Sequence, residues 1–382
     1  MKQPVTQQYA GLISGILAAV AILGGLGLAA WRAPRSAVAG AASVSDSPEA
    51  WATTPVRVVD GYITASRNSN QPGFPAVNCA VAADELYDLP PAKDEIIALQ
   101  GEAVKAQAAP QVTWLQDDDQ VFGVHLYGRR RCYPRNILVR HCLINDMLAG
   151  EPILIYFDPP SGACMALMRP EKGGTAYSFA ASGLGYRGLG LPYDEPTASL
   201  WYPLGGQAIV GPAVGQEIKL KPIAGEWMAW AAWRELWPET TVLSRVTGYD
   251  YDYSLDPYTQ VQGPAGERLN YYESALILAP PVLSDASGTI ADKAEVLGVR
   301  LPEGALAVPV AEAFAAAGEQ PRTFTRDSEF GPLELRVAPQ ARRLYLTMPG
   351  NVRPPQVRMF WYAWRAGHPD TEVWRIEASA DE

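Results

Sequence analysis

The stretch QVFGVHLYGRRRCYP, residues 120–134, decides the fold because the chain repeats it. It aligns without gaps with EVLGVRLPEGALAVP, residues 295–309, and the two share a Val, a Gly-Val pair, a Leu and the final Pro. A second pair of motifs recurs in the same order: WAAWRELWPETTV, residues 230–242, matches WYAWRAGHPDTEV, residues 361–373, at seven of 13 positions. Two motifs that recur in one order indicate a duplicated unit.

The two copies differ in length. The motifs begin 110 residues apart in the first copy and 66 apart in the second, so the second copy is shortened. We expect the missing part to correspond to HCLINDMLAGEPILIYFDPPSGAC, residues 141–164, and to the residues that follow it. The sequence thus predicts a first repeat unit over residues 115–260 and a second, shortened unit over residues 261–382.

The hydrophobic pattern predicts a β-rich body. Short runs of β-branched and aromatic residues, such as PILIYFD and RRLYLTM, alternate with Gly and Pro, as is typical of strands and turns. We expect helical pieces over 82–107, inside an N-terminal extension over 57–114, and a short helix over 136–147. The predicted fold class is α+β and β-rich, with two related halves after a single N-terminal transmembrane helix.

Tryptophans mark a further helix. Trp230, Trp233 and Trp237 recur at intervals of three and four residues, which places them on one face of a helix. A tryptophan platform for sugars is the alternative, but this spacing favours packing in a core. In the repeated motif His368 stands in the place of Trp237, and this favours a packing position for His368 as well.

Residues 11–31, GLISGILAAVAILGGLGLAAW, carry no charge and as a helix would span about 32 Å. They predict a transmembrane anchor within an N-terminal segment over 1–35. A cleaved signal peptide is the alternative, because residues 37–39 have the small-x-small pattern of a cleavage site. Arg32 and Arg35 interrupt the approach to that site and favour the anchor.

Charge does not decide the orientation of this anchor, because Lys2 stands on one side of it and two arginines stand on the other. An N-in signal anchor is the ordinary outcome for one helix ahead of a long soluble domain. It would place residues 36–382 outside the cytoplasm, on the periplasmic side. Residues 36–56, rich in Ala, Ser and Pro, are predicted to form a flexible tether.

Composition and motifs exclude several classes of function. The net charge of −10 and the pI near 5.0 would repel nucleic acid over most of the surface. Residues 183–188 spell GxGxxG, but the next residues, LGLPYDEP, cannot open the helix that would hold a pyrophosphate. No GxSxG motif occurs, and we predict no cofactor and no catalytic residue.

The segments YPRNILVRHCLINDMLAGEPILIYFD, SGLGYRGLGLPYDEPTASLWYPLGGQAIVGP and FWYAWRAGHPDTEVW, together with the first tryptophan motif, resemble successive signatures of a bacterial family known as domain of unknown function 3179. The resemblance covers about residues 115–376 and implies no established activity. In that family the strand after the His-containing segment typically reads YCPLCGTA. Here Phe157 and Pro160 stand in place of the two cysteines, so the Cys-x-x-Cys pair is absent.

The resemblance also concerns the remaining polar residues. Asn145 matches the family pattern, as do His141 and Asp146. The candidate residual polar or metal cluster consists of His141, Cys142, Asp146 and Cys164. Two interpretations of His141 stay open: a buried histidine satisfied by a carbonyl or carboxylate, and a residual ligand or acid–base group. In an oxidising compartment the four cysteines permit three complete disulfide pairings.

The segment TGYDYDYSLDPY, residues 247–258, is a second candidate site. Asp250, Asp252 and Asp256 supply carboxylate oxygens that could hold Ca²⁺. No Gly is placed as in an EF-hand, so a capped turn with solvated carboxylates is the alternative.

The residues predict a membrane-anchored, extracytoplasmic, non-catalytic binding or accessory domain, as a subunit of a larger membrane protein complex. Its expected partners are the membrane, through residues 11–31, and another membrane protein. The alternative is a redox or metal-handling protein that uses a rearranged His/Cys site, with Met147 as a further ligand. An enzyme of another kind is less expected than the accessory domain.

Overall fold

The computed structural model describes residues 56–64, 72–278 and 290–377. The predicted membrane helix over 11–31 lies outside the described residues, as does the tether over 36–56 apart from Val56. No helix within the described ranges is long and apolar enough to cross a membrane. The fold class is α+β and β-rich, with four α-helices in the described part of the chain.

The N-terminal part contains strands β1 (Arg57–Val59), β2 (Tyr62–Thr64), β3 (Phe74–Pro75), β4 (Tyr87–Asp88), β5 (Leu99–Gln100) and β6 (Ala106–Ala108). The prediction of helices over 82–107 is wrong, because the segment holds 3₁₀ turns at Ala83–Glu85 and Gly101–Ala103 between strands. The strands β4, β5 and β6 each pair with a strand from later in the chain. This pairing outweighs the weak local preference for a helix.

The next part of the chain contains β7 (Gln120–Leu126), β8 (Arg129–Pro134), α1 (Arg135–His141), β9 (Leu143–Leu148), β10 (Glu151–Asp158) and β11 (Ala163–Met168). The helix predicted over 136–147 ends early because Cys142 adopts a φ of 57°. The Cys142 carbonyl then accepts a hydrogen bond from the Phe157 N–H at 2.7 Å, and the chain turns into β9. Asn145 and Asp146 therefore lie on a strand and not on a helix.

The next elements are β12 (Glu171–Lys172), β13 (Thr175–Ala176), β14 (Phe179–Tyr186), β15 (Leu189–Asp194), β16 (Leu200–Tyr202), β17 (Gln207–Val210) and β18 (Lys221–Ile223). They are followed by β19 (Gly225–Ala229), α2 (Trp230–Leu236), β20 (Thr241–Leu243), β21 (Val261–Gln262) and β22 (Arg268–Leu269).

The last part contains β23 (Glu295–Leu301), β24 (Gly304–Pro309), α3 (Val310–Ala317), β25 (Arg322–Arg326), β26 (Leu333–Ala338), β27 (Arg343–Thr347), β28 (Gln356–Phe360), α4 (Trp361–Gly367) and β29 (Glu372–Val373).

Three five-stranded sheets have the orders β18-β11-β10-β9-β5, β17-β16-β15-β14-β4 and β19-β7-β8-β20-β6. Strands β10 and β11 of the first sheet are buried on both faces, so their side chains alternate between two hydrophobic cores. Leu143, Tyr156 and Ala163 point into one core, which also holds the buried residues of β14–β17. Ile155 and Phe157 point into the other core, against α1.

Two sheets share one arrangement. The order β19-β7-β8-β20 in one sheet has the same form as β28-β23-β24-β29 in another, and in each the last pair is parallel. The registers agree as well. Ala229 lies opposite Gln120, and Phe360 lies opposite Glu295. The hairpins β7–β8 and β23–β24 are also in register at the positions that the sequence alignment equates.

A glycine and a tryptophan fix the same contact in both sheets. A Cβ atom on Gly123 would lie 1.8 Å from the Trp233 ring, and one on Gly298 would lie 2.2 Å from the Trp364 ring. Each indole donates to a threonine seven residues later, at 3.1 and 2.9 Å. Only a residue without a Cβ lets the ring approach the strand so closely.

The predicted tryptophan face is present in part. Trp230 and Trp233 are fully buried on α2, as predicted. Trp237 lies just beyond the end of the helix, and its ring centroid is 4.2 Å from that of Trp233. His368 stacks on Trp364 at 4.1 Å in the equivalent place. His368 therefore has a packing contact, as the motif alignment indicates.

Candidate functional site

The end of β10 and the turn that follows it hold the two positions at which the family resemblance expects cysteines, Phe157 and Pro160. The Phe157 ring packs edge-on against Trp227, with the ring centroids 5.8 Å apart. The Pro160 carbonyl accepts hydrogen bonds from the hydroxyls of Tyr271 and Tyr362, at 2.7 and 2.9 Å. Both positions are thus filled by packing and by backbone hydrogen bonds.

Asp158 lies between these two positions and is 7% exposed. Its carboxylate accepts a hydrogen bond from the Ser161 hydroxyl and, at 3.2 Å, one from the Ser161 N–H. Burial raises the pKa of Asp158 to about 6, although the hydrogen bonds from Ser161 and from the Gly190 N–H oppose that rise. No sequence motif marks this buried acid, and its place between two substituted family positions is the signal that could have found it.

A small cavity adjoins Asp158 and is also lined by Cys142, Tyr156 and Tyr258. Its volume is about 60 Å³. A buried water needs roughly 10–15 Å³ of such space, and pockets for small ligands have roughly 300–1,000 Å³. The cavity can hold a few waters and is too small for an organic substrate.

His141 is fully buried, and both of its ring nitrogens have partners. Nδ1 lies 2.7 Å from the Ile97 carbonyl oxygen, and a carbonyl can only accept, so Nδ1 carries the proton. Nε2 therefore accepts a hydrogen bond from the Tyr253 hydroxyl at 2.7 Å. Burial lowers the pKa of His141 to about 4, which keeps the ring neutral. No ring nitrogen is left for a metal ion in this arrangement.

The four cysteines all lie in the described part of the chain, and none of them forms a disulfide. Cys164 lies opposite Phe157 in the ladder and shares its core, whereas Cys142 belongs to the core on the other face of the sheet. Burial raises the pKa of both thiols, so both stay protonated at neutral pH. The structure does not bring these two cysteines together.

The remaining polar residues of the predicted cluster have structural partners. Asp146 forms a salt bridge with Arg131 at 2.6 Å and accepts a hydrogen bond from the Tyr133 hydroxyl at 2.7 Å. Asn145 exchanges two hydrogen bonds of 2.9 Å with the Phe179 backbone. Met147 is 51% exposed on β9, away from both cores.

The three aspartates of the predicted calcium loop do not converge. Asp250 is exposed, and Asp252 accepts hydrogen bonds from the N–H and hydroxyl of Ser254. Asp256 caps the 3₁₀ turn at Pro257–Gln260 and forms a salt bridge with Arg135 at 2.7 Å. Among the residues that the structure describes, no group of three or more His, Cys, Asp or Glu side chains is placed to hold a metal ion.

Comparison with known proteins gives one family. The family model described as "Protein of unknown function (DUF3179)" matches residues 93–328. The match begins and ends earlier than the region of about 115–376 that the motifs indicate, and it confirms the predicted family. No curated protein and no solved structure matches the chain.

Proposed function

We propose, from the premise that this chain belongs to the DUF3179 family, that it is a non-catalytic binding or accessory domain. In this proposal residues 11–31 anchor it in the membrane, the body lies outside the cytoplasm, and it serves a larger membrane protein complex. One observation carries the non-catalytic part. The polar groups that match the family pattern are already bonded within the fold, and Phe157 and Pro160 occupy the positions of the expected cysteines.

The magnitudes support this reading. A catalytic base at neutral pH needs a pKa near 7, whereas burial lowers that of His141 to about 4. A thiol nucleophile or thiolate ligand needs a lowered pKa, whereas burial raises those of Cys142 and Cys164. Asp158 has a pKa of about 6, but it adjoins a cavity of only about 60 Å³.

We further propose that the two matching sheets derive from one duplicated unit, with repeat units over 115–260 and 261–382. The equal strand order, the equal registers and the paired Gly–Trp contacts support a common origin. The strands β25, β26 and β27 form a meander between α3 and β28, as β9, β10 and β11 do after α1. In this comparison the shorter unit lacks counterparts of β12–β18, and a meander stands in the place of residues 141–164.

Metal analysis of the full-length chain, purified in detergent without chelators, tests the non-catalytic proposal. We expect copper, zinc and iron well below one ion per chain, with no change in His141→Ala. Cys79→Ser is the matched control for cysteine removal, because Cys79 is exposed. Near-stoichiometric metal that is lost in His141→Ala or Cys164→Ser would overturn the proposal and favour the redox or metal-handling alternative.

Protease protection tests the location. Protease added to sealed spheroplasts should digest the body of the protein, because residues 36–382 are expected outside the cytoplasm. Digestion that requires lysis would reverse the proposed topology. Native electrophoresis of solubilised membranes tests the accessory role, since a subunit should migrate with its complex and not as a single chain.

A further inference from the structure

An open groove lies beside the segment that the sequence proposes as a calcium loop. Its volume is about 380 Å³, and its lining includes Trp114, Asn136, Arg245, Tyr249, Tyr251 and Asp252. This set of residues is called the tyrosine groove. The volume falls within the range of roughly 300–1,000 Å³ found for small-ligand sites and suits one or two sugar rings.

Half-buried aromatic rings form the walls of the tyrosine groove. The rings of Tyr249 and Tyr251 have centroids 6.4 Å apart and planes 33° apart, so they present adjacent, similarly tilted faces. Trp114 is also half-buried, and the Arg245 guanidinium lies 5.6 Å from its ring centroid. Behind these rings His141 packs against Tyr251 with the ring centroids 5.3 Å apart, which holds the wall on the buried end of α1.

One residue that lines the groove, Asn136, and one residue beside it, Arg140, have unused hydrogen-bonding capacity. The Oδ1 atom of Asn136 and the Nε atom of Arg140 are buried, and neither has a hydrogen-bond partner among the residues that the structure describes. A buried polar atom without a partner is unfavourable, so a ligand hydroxyl that reached it would be stabilised. The Arg140 guanidinium lies 6.0 Å from the Tyr251 ring centroid, next to the aromatic wall.

The charges that line the groove balance. Arg245 contributes one positive charge and Asp252 one negative charge, and the whole chain carries a net charge of −10. This balance favours a neutral ligand over an anion or a cation. The segment around Tyr249 and Tyr251 forms no strand, so it offers an extended peptide no sheet edge to join.

We propose that the tyrosine groove binds a neutral saccharide. A pyranose ring has an apolar C–H face, which packs on the negative face of an aromatic ring. The hydroxyls of the sugar lie around the edge of its ring. Carboxamide and guanidinium groups can donate hydrogen bonds to these hydroxyls, and carboxamide and carboxylate groups can accept hydrogen bonds from them. Rings flanked by planar polar side chains therefore match both parts of a sugar.

Titration calorimetry of the full-length chain in detergent, with cellopentaose, chitopentaose and maltopentaose as probes, tests the proposal. We expect at least one of these neutral oligosaccharides to bind with a Kd at or below the millimolar range. Polygalacturonate, a polyanionic glycan, should bind more weakly. The absence of binding by all three neutral probes at millimolar concentration would overturn the proposal, as would preferential binding of polygalacturonate.

Two variants and one control locate the site. Tyr249→Ala and Trp114→Ala should each weaken binding about tenfold, because each removes a wall. Tyr127→Asn removes a 73% exposed aromatic ring elsewhere, at a positive φ that Asn tolerates, and should leave affinity unchanged. Binding that is equal in Tyr249→Ala and in the original chain would place the sugar elsewhere and overturn the assignment.

Tyr251→Phe keeps the ring and should retain most of the affinity, which guards against variants that fail to fold. Loss of binding in Tyr251→Phe with an unchanged melting temperature would show that ring stacking does not carry recognition, and would count against the proposal. This inference does not depend on the missing cysteine pair or on the anchor. A sugar that binds to a metal-containing chain would refute only the proposed function, and a metal-free chain without sugar affinity would refute only this inference.

Discussion

The contact between Gly123 and Trp233 gives the sharpest prediction about this fold. In Gly123→Ala the new Cβ would lie 1.8 Å from the ring, whereas ordinary contacts begin at 3.4 Å. The ring is 1% exposed and donates a hydrogen bond to Thr240, so it cannot swing into solvent. Either the ring or strand β7 must move by more than an ångström.

Two effects of opposite sign set the magnitude. Alanine restricts the unfolded chain more than glycine does, which alone stabilises a fold by about 0.4–1 kcal/mol. Overpacking a core costs about 1–3 kcal/mol and occasionally more, and this overlap is severe. We therefore expect Gly123→Ala to lower the free energy of unfolding by about 2–3 kcal/mol. Gly298→Ala, with its Cβ 2.2 Å from Trp364, should show a similar loss.

Urea denaturation followed by tryptophan fluorescence, on the full-length chain in detergent, measures the change. Gly128→Ala is a control, because its φ of 78° strains an alanine but no atom lies within 4 Å of the added Cβ. It should cost about 1 kcal/mol from backbone strain alone. Gly123→Ala combined with Trp233→Leu should lose less stability than the sum of the single variants, by about 1–2 kcal/mol.

A Gly123→Ala variant whose free energy of unfolding lies within about 0.5 kcal/mol of that of the original chain would refute steric overlap as the reason for this glycine. Strict additivity of the two substitutions would refute it as well, because a shared contact requires coupling. If Gly298→Ala alone were neutral, the two sheets would share topology without sharing this packing device.

Three other predictions concern the candidate site. The fold raises the pKa of Asp158 from 3.8 to about 6, so the free energy of unfolding should fall by about 2 kcal/mol as pH rises from 4 to 7. In Asp158→Asn the free energy of unfolding should not show this decrease with pH. Urea midpoints with the same pH dependence in the variant and in the original chain would contradict this. Maleimide should label Cys79 in the native protein but the other three cysteines only after unfolding, as mass spectrometry can measure; a second labelled site in the native state would contradict the burial. Arg135→Met should cost about 2 kcal/mol by leaving Asp256 without its cation, whereas Asp256→Asn, which keeps a capping oxygen, should cost less in the same urea assay.

The family could be recognised from sequence because its motifs are continuous stretches. Strand content was equally visible, since β-branched and aromatic runs alternate with Gly and Pro. Several hairpins end in a residue followed by Gly, both at positive φ, as at Tyr127 and Gly128. The helix in the first tryptophan motif was predicted from intervals of three and four residues, and α2 occupies that motif, as α4 occupies its repeat.

The prediction of helices over 82–107 was wrong because strand partners from elsewhere in the chain decided the structure of this segment. Leu99 and Gln100 pair with Ile144 and Asn145, more than 40 residues later. A local pattern does not contain such a partner, so local preference was overruled by pairing.

The candidate site shows most clearly the difference between what the local sequence determines and what long-range packing decides. The sequence supplied His141, Cys142, Asp146 and Cys164 within 24 positions, as a compact metal or thiol site would require. Only the tertiary structure decided that a sheet separates Cys142 from Cys164, since faces depend on where α1 ends and on register. It also assigned the lone pair of His141 to Tyr253, a residue 112 positions away. Sequence alone fixes which groups are present, whereas the partners that use up their bonding capacity are set by long-range packing.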